Sequence, residues 1–229
     1  MTITYHHHVE QGSDEWHAQR RVLLTASEVK LILTPTLKTA ANDYSRAHVY
    51  ELLSQRITGY TEPRYVSDDM LRGQVDEIEA RQLYAENFAP VTECGFVTRD
   101  FGGGVVIGYS PDWLVGDDGL GEAKSRRQKY QVQTIIAARS GEIPAEHVLQ
   151  CQTGLLVTGR EWLDFVSYCG GMPMIVVRVY PDPKIHAAIL EAATAFYAQV
   201  DARHAEYLEA LAVCRSVPTE RKIEQEMVV

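Results

Sequence analysis

Pro111-Asp112 is followed, ten residues after the aspartate, by Glu122-Ala123-Lys124. Between them Asp117-Asp118-Gly119 has the composition of a tight hairpin turn, so Asp112 opens one strand and Glu122 and Lys124 lie on its return. Successive strand residues point to opposite faces, so Glu122 and Lys124 share a face. Two carboxylates and an amine converging in this way suit metal-assisted phosphodiester hydrolysis. Such chemistry needs oxygens for Mg2+, a cation to orient or help deprotonate the attacking water, and room for the scissile phosphate. A bend at Ala123 would turn its backbone carbonyl to the metal as a further oxygen. The same residues also fit a solvated hairpin with ordinary surface charges, because loosely spaced P-D, E-x-K patterns recur by chance.

Other residues add to the constellation. Gly73-Gln74-Val75-Asp76-Glu77 lies in a helical stretch and offers Glu77 as a further carboxylate, the alternative being a helix-surface glutamate. Gln150 and Gln152 begin an otherwise apolar helix, and an amide from either could hydrogen-bond the nucleophilic water or a metal-bound group. Thr25-Ala26-Ser27-Glu28 reads as a capping box that puts Ser27 in a helix first turn, seven residues after Arg20. Free N–H groups, a hydroxyl and an arginine together make a receptor for a terminal phosphate. The run Lys124-Ser125-Arg126-Arg127-Gln128-Lys129 places four positive charges directly after the acidic pair. There a phosphate backbone could be gripped, although such runs are also common as solvated faces.

The elements that would position these residues follow from periodicity and punctuation. The first 90 residues are expected to be mainly helical: Thr25 to Leu33, Asp43 to Ile57 with Ala47, Tyr50, Leu53 and Ile57 at helical intervals, and Met70 to Asn87. From 91 to 180 the pattern changes to short strands, at Val91 to Thr98, Val105 to Tyr109, Trp113 to Val115 and Leu120 to Lys124, then Trp162 to Cys169 and Met174 to Tyr180. Helices at about Arg126 to Arg139 and Ala145 to Thr158 cross between them. Pro181 and Pro183 close the sheet, and Lys184 to about Val213 reads as one long amphipathic helix before a polar tail. The fold expected is α/β or α+β, one nuclease domain over residues 1–229 with a mixed central β-sheet flanked by helices.

Composition sets outer bounds. The chain has 229 residues, with 22 Lys plus Arg against 31 Asp plus Glu, a net charge of −9. That balance argues against a protein that merely coats nucleic acid, but a nuclease whose carboxylates hold metal escapes the objection. No apolar run approaches a membrane span, and the N-terminus lacks a basic segment followed by an apolar one, so a cytoplasmic protein is expected. Cys94, Cys151, Cys169 and Cys214 are scattered, which argues against a zinc, redox or iron–sulfur site and for buried free thiols. The run His6-His7-His8 reads as a solvated terminal segment.

Taken in order, Glu10-Gln11-Gly12-Ser13-Asp14-Glu15-Trp16-His17, Arg20, and Thr25-Ala26-Ser27-Glu28-Val29 resemble the opening of the lambda exonuclease family, also called the YqaJ viral recombinase family. Gly73 with Glu77, then Tyr109-Ser110-Pro111-Asp112, Gly121-Glu122-Ala123-Lys124 and Gln150-Cys151-Gln152 match its later motifs, so the resemblance spans roughly residues 10 to 158. It implies a restriction-endonuclease-like core that resects one strand of linear duplex DNA from a 5'-phosphorylated end, leaving a 3' single strand for recombination. It further implies two Mg2+ ions, with Mn2+ as a possible substitute, held by Asp112, Glu122, the Ala123 carbonyl and Glu77, with Lys124 and Gln150 handling the water. Arg20 and Ser27 would hold the 5'-phosphate, and Met70 and Leu71 stand where the family places an apolar wedge at the terminal base pair. A homotrimeric ring threaded by DNA and a single-strand annealing protein as partner are implied as well. In such a ring only the channel need be basic, which accommodates the acidic total. Two departures stand out: Glu-Ala-Lys-Ser where the family commonly has Glu-Leu-Lys-Cys, and Gly154 four residues after Gln150, where relatives often carry an aromatic. No role is assigned to Gly154. The alternatives are an endonuclease on the same core, which would cut circular DNA, and a catalytically inactive DNA-end-binding protein.

Overall fold

A computed structural model describes residues 1–63 and 67–221. Its elements are β1 (Thr2–His6), α1 (Asp14–Arg20), β2 (Leu24–Thr25), α2 (Val29–Ile32), α3 (Asp43–Thr58), α4 (Asp68–Asn87), β3 (Phe96–Asp100), β4 (Val106–Tyr109), β5 (Trp113–Val115), β6 (Gly119–Ser125), α5 (Gln128–Ala138), α6 (Ala145–Thr158), β7 (Trp162–Tyr168), β8 (Ile175–Val179) and α7 (Pro183–Val213). Where the sequence suggests one central sheet, the strands form two mixed four-stranded sheets, ordered β1-β3-β4-β2 and β5-β6-β7-β8. An isolated bridge between Thr92 and Leu114 joins the segment before β3 to β5.

In the second sheet β5 and β6 form the expected antiparallel hairpin, and β6 runs parallel to β7. Helices α5 and α6 make the crossover that a parallel pair requires. Residues 119–123 of β6 are buried, as befits a central strand covered on both faces. On one face Leu120 joins Leu163, Phe165, Leu155 and the α7 residues Ile189 and Phe196 in the main core. On the other, Ala123 packs with Trp113, Val166 and the α4 residues Ala80 and Tyr84. The alternation along β6 therefore sends Leu120, Glu122 and Lys124 toward α6, and Gly121 and Ala123 toward α4.

The helix ends follow their local chemistry. In α3, Asn42 and Ser45 exchange backbone and side-chain hydrogen bonds as a capping box, and Gly59 ends the helix at φ 62°. Asp182 caps α7, with Pro183 in its first turn. Among the described residues, no helix is long and apolar enough to cross a membrane.

Several expectations are corrected. Of the N-terminal histidines, His6 is not part of a solvated tail: it ends β1, an antiparallel edge strand on β3, with its Nε2 3.1 Å from the Thr98 hydroxyl, while His7 and His8 beyond it are exposed. Two-residue β2 was unforeseen too, and the helix expected from Thr25 is a single turn beginning at Val29, with Ser27 in the turn before it. Only part of the capping box forms, because Thr25 donates through both its backbone N–H, at 3.0 Å, and its hydroxyl, at 2.7 Å, to the Glu28 carboxylate. In α3 the buried residues are Ser45, His48, Val49, Leu52 and Leu53, while Tyr50 and Ile57 are exposed. A mixed-polarity helix misled the phase, since a buried serine and histidine take inner positions. Val91 to Gly95 is not strand except for the Thr92 bridge, and β3 starts at Phe96. Residues 222–229 of the polar tail lie outside the described residues.

Candidate active site

The site grows from the β5–β6 hairpin. Glu122 is buried and its carboxylate is held from three directions. Oε1 accepts from the Lys124 ammonium at 2.6 Å and from the Gln150 amide at 2.5 Å, while Oε2 accepts from the Tyr109 hydroxyl at 2.7 Å. Asp112, half-buried just before β5, accepts from the backbone N–H of Ala123 at 2.6 Å. The β5–β6 ladder ends at Trp113↔Gly121, so the edge of β6 at Ala123 is left to Asp112 instead of a strand. In an extended strand a residue's N–H and C=O face the same neighbour, which turns the Ala123 carbonyl toward this edge as well. Gly121 is required here, because a Cβ on it would lie 2.0 Å from the Trp113 indole that backs the hairpin.

Electrostatics mark the cluster as crowded with negative charge. Burial, then repulsion from Glu122 and Glu77, push the Asp112 carboxyl well above its usual range against the pull of Lys124. Glu77 on α4 is raised mainly by burial, with Glu122 adding to it and Lys124 and Arg81 opposing. Burial works against a charged Lys124, yet Glu122 and Asp112 outweigh it and hold the amine above the ordinary lysine value. His147, one turn before Gln150 on α6, is pushed down to about 4 by burial and by the Lys124 amine. It stacks on Phe165 as a neutral imidazole.

Among the described residues, no three acidic, histidine or cysteine side chains already surround one point as a ligand set. Asp112 is turned to Ala123, and Glu122 to its three donors. The donor chemistry nevertheless fits a hard divalent cation: three carboxylates and a backbone carbonyl gather at one strand edge, balanced by Lys124 and, beside Glu77, by Arg81. Glu77 and Asp112 line one cleft of about 540 Å3 together with His7, His8, Glu10 and Ile78.

A second group of polar side chains abuts the first. The Trp16 indole N–H and the Arg20 guanidinium both donate to the Ser110 hydroxyl, at 2.9 and 3.1 Å, and the guanidinium lies 4.2 Å over the Trp16 ring. Arg20 also reaches the Thr25 hydroxyl at 3.5 Å, which stands 3.3 Å from that of Ser27. Tyr197 of α7 fixes the short β2 that carries Thr25, accepting from Leu24 N–H at 2.8 Å and donating to the Val106 carbonyl. Arg20 and Ser27 are thus brought together through Thr25, and joined to Asp112 through Ser110 two residues away.

The other candidates separate. Gln150 reaches Glu122, whereas Gln152 donates to the Tyr180 carbonyl and accepts from Asp182 N–H, bracing the start of α7. In the basic run, Arg126 pairs with Glu146 at 3.1 Å, Arg127 with Asp69 at 2.8 Å, and Lys129 lies 4.7 Å over the Tyr130 ring. Arg126, Arg127 and Lys129 border an open cleft of about 600 Å3 with Arg72. Met70 and Leu71 are exposed at 54% and 52%, so they are not core. Trp16, Tyr109 and Ser110 stand within the motif segments without a role of their own in the sequence reading, and His147 stands in none of them. Tyr109 and Ser110 directly precede Pro111-Asp112, and that adjacency was the available signal. Gly154 does have a structural part, since it makes space for the Tyr109 ring: a Cβ there would lie 2.8 Å from the ring. Here β4 supplies an aromatic beside α6.

A carboxylate and lysine site at the open edge of a mixed sheet, with an arginine and hydroxyl cluster beside it, is chemically suited to a phosphodiester. The YqaJ-like viral recombinase domain matches residues 15–161, and the chain belongs to that family. An alkaline exonuclease (LHK-Exo) from Laribacter hongkongensis is similar at 34% identity, over 87% of this chain and 98% of that one, with a TM-score of 0.73. The structure of LHK-Exo in complex with dAMP is similar at 35% identity over the same shares, also with a TM-score of 0.73. A phage related exonuclease from Haemophilus somnus 129PT shares the fold, at 12% identity over 81% of this chain and 96% of that one, with a TM-score of 0.58. No curated protein matches. The fold is the restriction-endonuclease-like mixed α/β arrangement.

Proposed function

We propose that this chain is a Mg2+-dependent exonuclease that digests linear double-stranded DNA from a 5'-phosphorylated end and leaves a 3' single strand for recombination. One observation carries the reading: the segment Tyr109 to Asp112 joins the carboxylate site to the Arg20 cluster, so an end phosphate and a scissile phosphate have adjoining seats. LHK-Exo is named an alkaline exonuclease and was crystallised with dAMP, a deoxynucleoside monophosphate of the kind such digestion releases.

Asp112, Glu122 and the Ala123 carbonyl are the oxygens proposed for one Mg2+, with Glu77 for a second. The ions supply charge opposite the phosphate and a more acidic water, and Mn2+ has the same ligand preference. Lys124 and Gln150, both on Glu122 Oε1, are placed to donate to and orient the attacking water. Ser110 accepts from Trp16 and Arg20, which leaves its own proton to donate to a terminal phosphate oxygen. A ring of three copies would let the Arg72, Arg126, Arg127 and Lys129 cleft face DNA while the exterior stays acidic, and a single-strand annealing protein would take the exposed strand. The setting proposed is the cytoplasm.

The test compares linear duplexes bearing a 5'-phosphate or a 5'-hydroxyl with closed circles, in Mg2+ and in Mn2+. Loss of one strand from phosphorylated linear DNA, with circles intact, is expected. Nicked circles would indicate an endonuclease, and binding without cleavage an inactive end binder. Arg20→Ala is expected to slow digestion of the phosphorylated end roughly 10- to 100-fold, the size of a charge-assisted hydrogen bond, and to leave the hydroxyl end nearly unchanged. Equal slowing on both ends would remove Arg20 from phosphate recognition.

A further inference from the structure

We infer that Tyr109 is a positioning residue that fixes the Glu122 carboxylate for its divalent cation, and that Gly154 is the gap which admits it. The inference rests on the metal reading proposed above. Glu122 is 1% exposed, so water cannot orient its carboxylate, and the protein must supply the donors. Lys124 and Gln150 both take Oε1, and Tyr109 alone among the described residues' hydrogen bonds takes Oε2. Without the phenol the group can turn about its last bond, because two donors on one oxygen do not set the plane. Tyr109 is itself 1% exposed. A phenol keeps its proton at neutral pH, so the hydroxyl is a donor.

The ring has little choice of position. It lies against α6, where a Cβ at Gly154 would stand 2.8 and 2.9 Å from two of its carbons and 3.1 Å from a third. Any larger residue there must shift the ring and so the hydroxyl at its tip. Gln150 sits one turn earlier on the same helix. The Gln150 amide and the Tyr109 hydroxyl thus approach Glu122 from one packed unit, with α6 setting both.

The experiment is calorimetric titration of Mg2+ or Mn2+ into DNA-free full-length protein, with thermal melting alongside. Tyr109→Phe keeps the ring and deletes the donor. Outer-shell partners of metal ligands typically contribute 10- to 100-fold in affinity, so the variant is expected to bind the ion at least about tenfold more weakly. Its metal-free melting should fall modestly, because a buried carboxylate oxygen loses its donor, and most of its nuclease activity should return at raised Mg2+. Gly154→Ala should weaken binding in the same direction, yet add little in the Tyr109→Phe background, where the ring is still crowded but the hydroxyl that its shift would pull from Glu122 is already gone. Undiminished metal affinity in Tyr109→Phe would overturn the inference while leaving the metal site standing. An equally large loss from Gly154→Ala in that background would overturn the role of the gap. No binding by the wild type would remove the metal site itself, and the inference with it.

Discussion

Asp112→Asn is expected to reduce strand loss from linear duplex DNA by about three orders of magnitude or more while leaving the protein folded. A metal-bound carboxylate contributes several kcal/mol to stabilising the charge that develops on the transferring phosphate, and each 1.4 kcal/mol is tenfold in rate. The asparagine retains the shape and an oxygen for the Ala123 N–H, so the local hydrogen bond can persist. It also removes one of three crowded carboxylates, and one that burial first and then repulsion from Glu122 and Glu77 make unfavourable to hold charged. Melting without divalent ions should therefore occur at the same or a higher temperature than wild type, the usual sign that a functional charge is held at the expense of stability. Single-turnover nucleotide release and a thermal melt check both halves. Activity within tenfold of wild type would place the essential carboxylate elsewhere, and a large drop in melting temperature would make Asp112 structural.

Residues close in sequence were the easiest to place. The hairpin turn at Asp117-Asp118-Gly119 and the two-residue period set Glu122 and Lys124 on one face, and that is where they lie. Helix α6 was bounded correctly because Pro144 and Gly159 frame an apolar run. What the sequence concealed depended on tertiary contact. β1 reads as a polar terminus, since an edge strand buries little, and only its ladder with β3 defines it. β2 is two residues long and is held by Tyr197 from a helix more than 170 positions away. Period could not decide between Gln150 and Gln152, which lie at the same end of one helix, until each found its partner. The Arg126 and Arg127 run looked like unopposed charge, but an acidic chain supplied Glu146 and Asp69 as partners. Gly154 looked like a missing aromatic because its complement, Tyr109, comes from a strand 45 residues earlier.

Trp113→Ala is expected to be among the most destabilising single changes in the chain, at about 3–5 kcal/mol by denaturant unfolding. Trp113 is fully buried beside Asp112 and fills the space between α4 and the second sheet. Its indole covers Gly121, and its ring centroid stands 5.2 Å from that of Tyr84, whose hydroxyl is bound to Asp164 at 2.6 Å. Truncation would open a cavity under the strand that carries Glu122, and neighbouring side chains could not collapse into it without moving that strand. A domain holds only about 5–15 kcal/mol in total, so roughly a fifth or more of it would be gone. Trp113→Phe separates packing from polarity. Among the described residues the indole N–H has no hydrogen-bond partner, and a buried unsatisfied donor is itself unfavourable by about 1–3 kcal/mol. Phenylalanine gives up some volume but also removes that donor, so the two effects oppose, and the loss should be well under half of that for alanine. Equal destabilisation by alanine and phenylalanine would mean that the indole N–H has a partner, and that Trp113 contributes through it instead of through the space it fills.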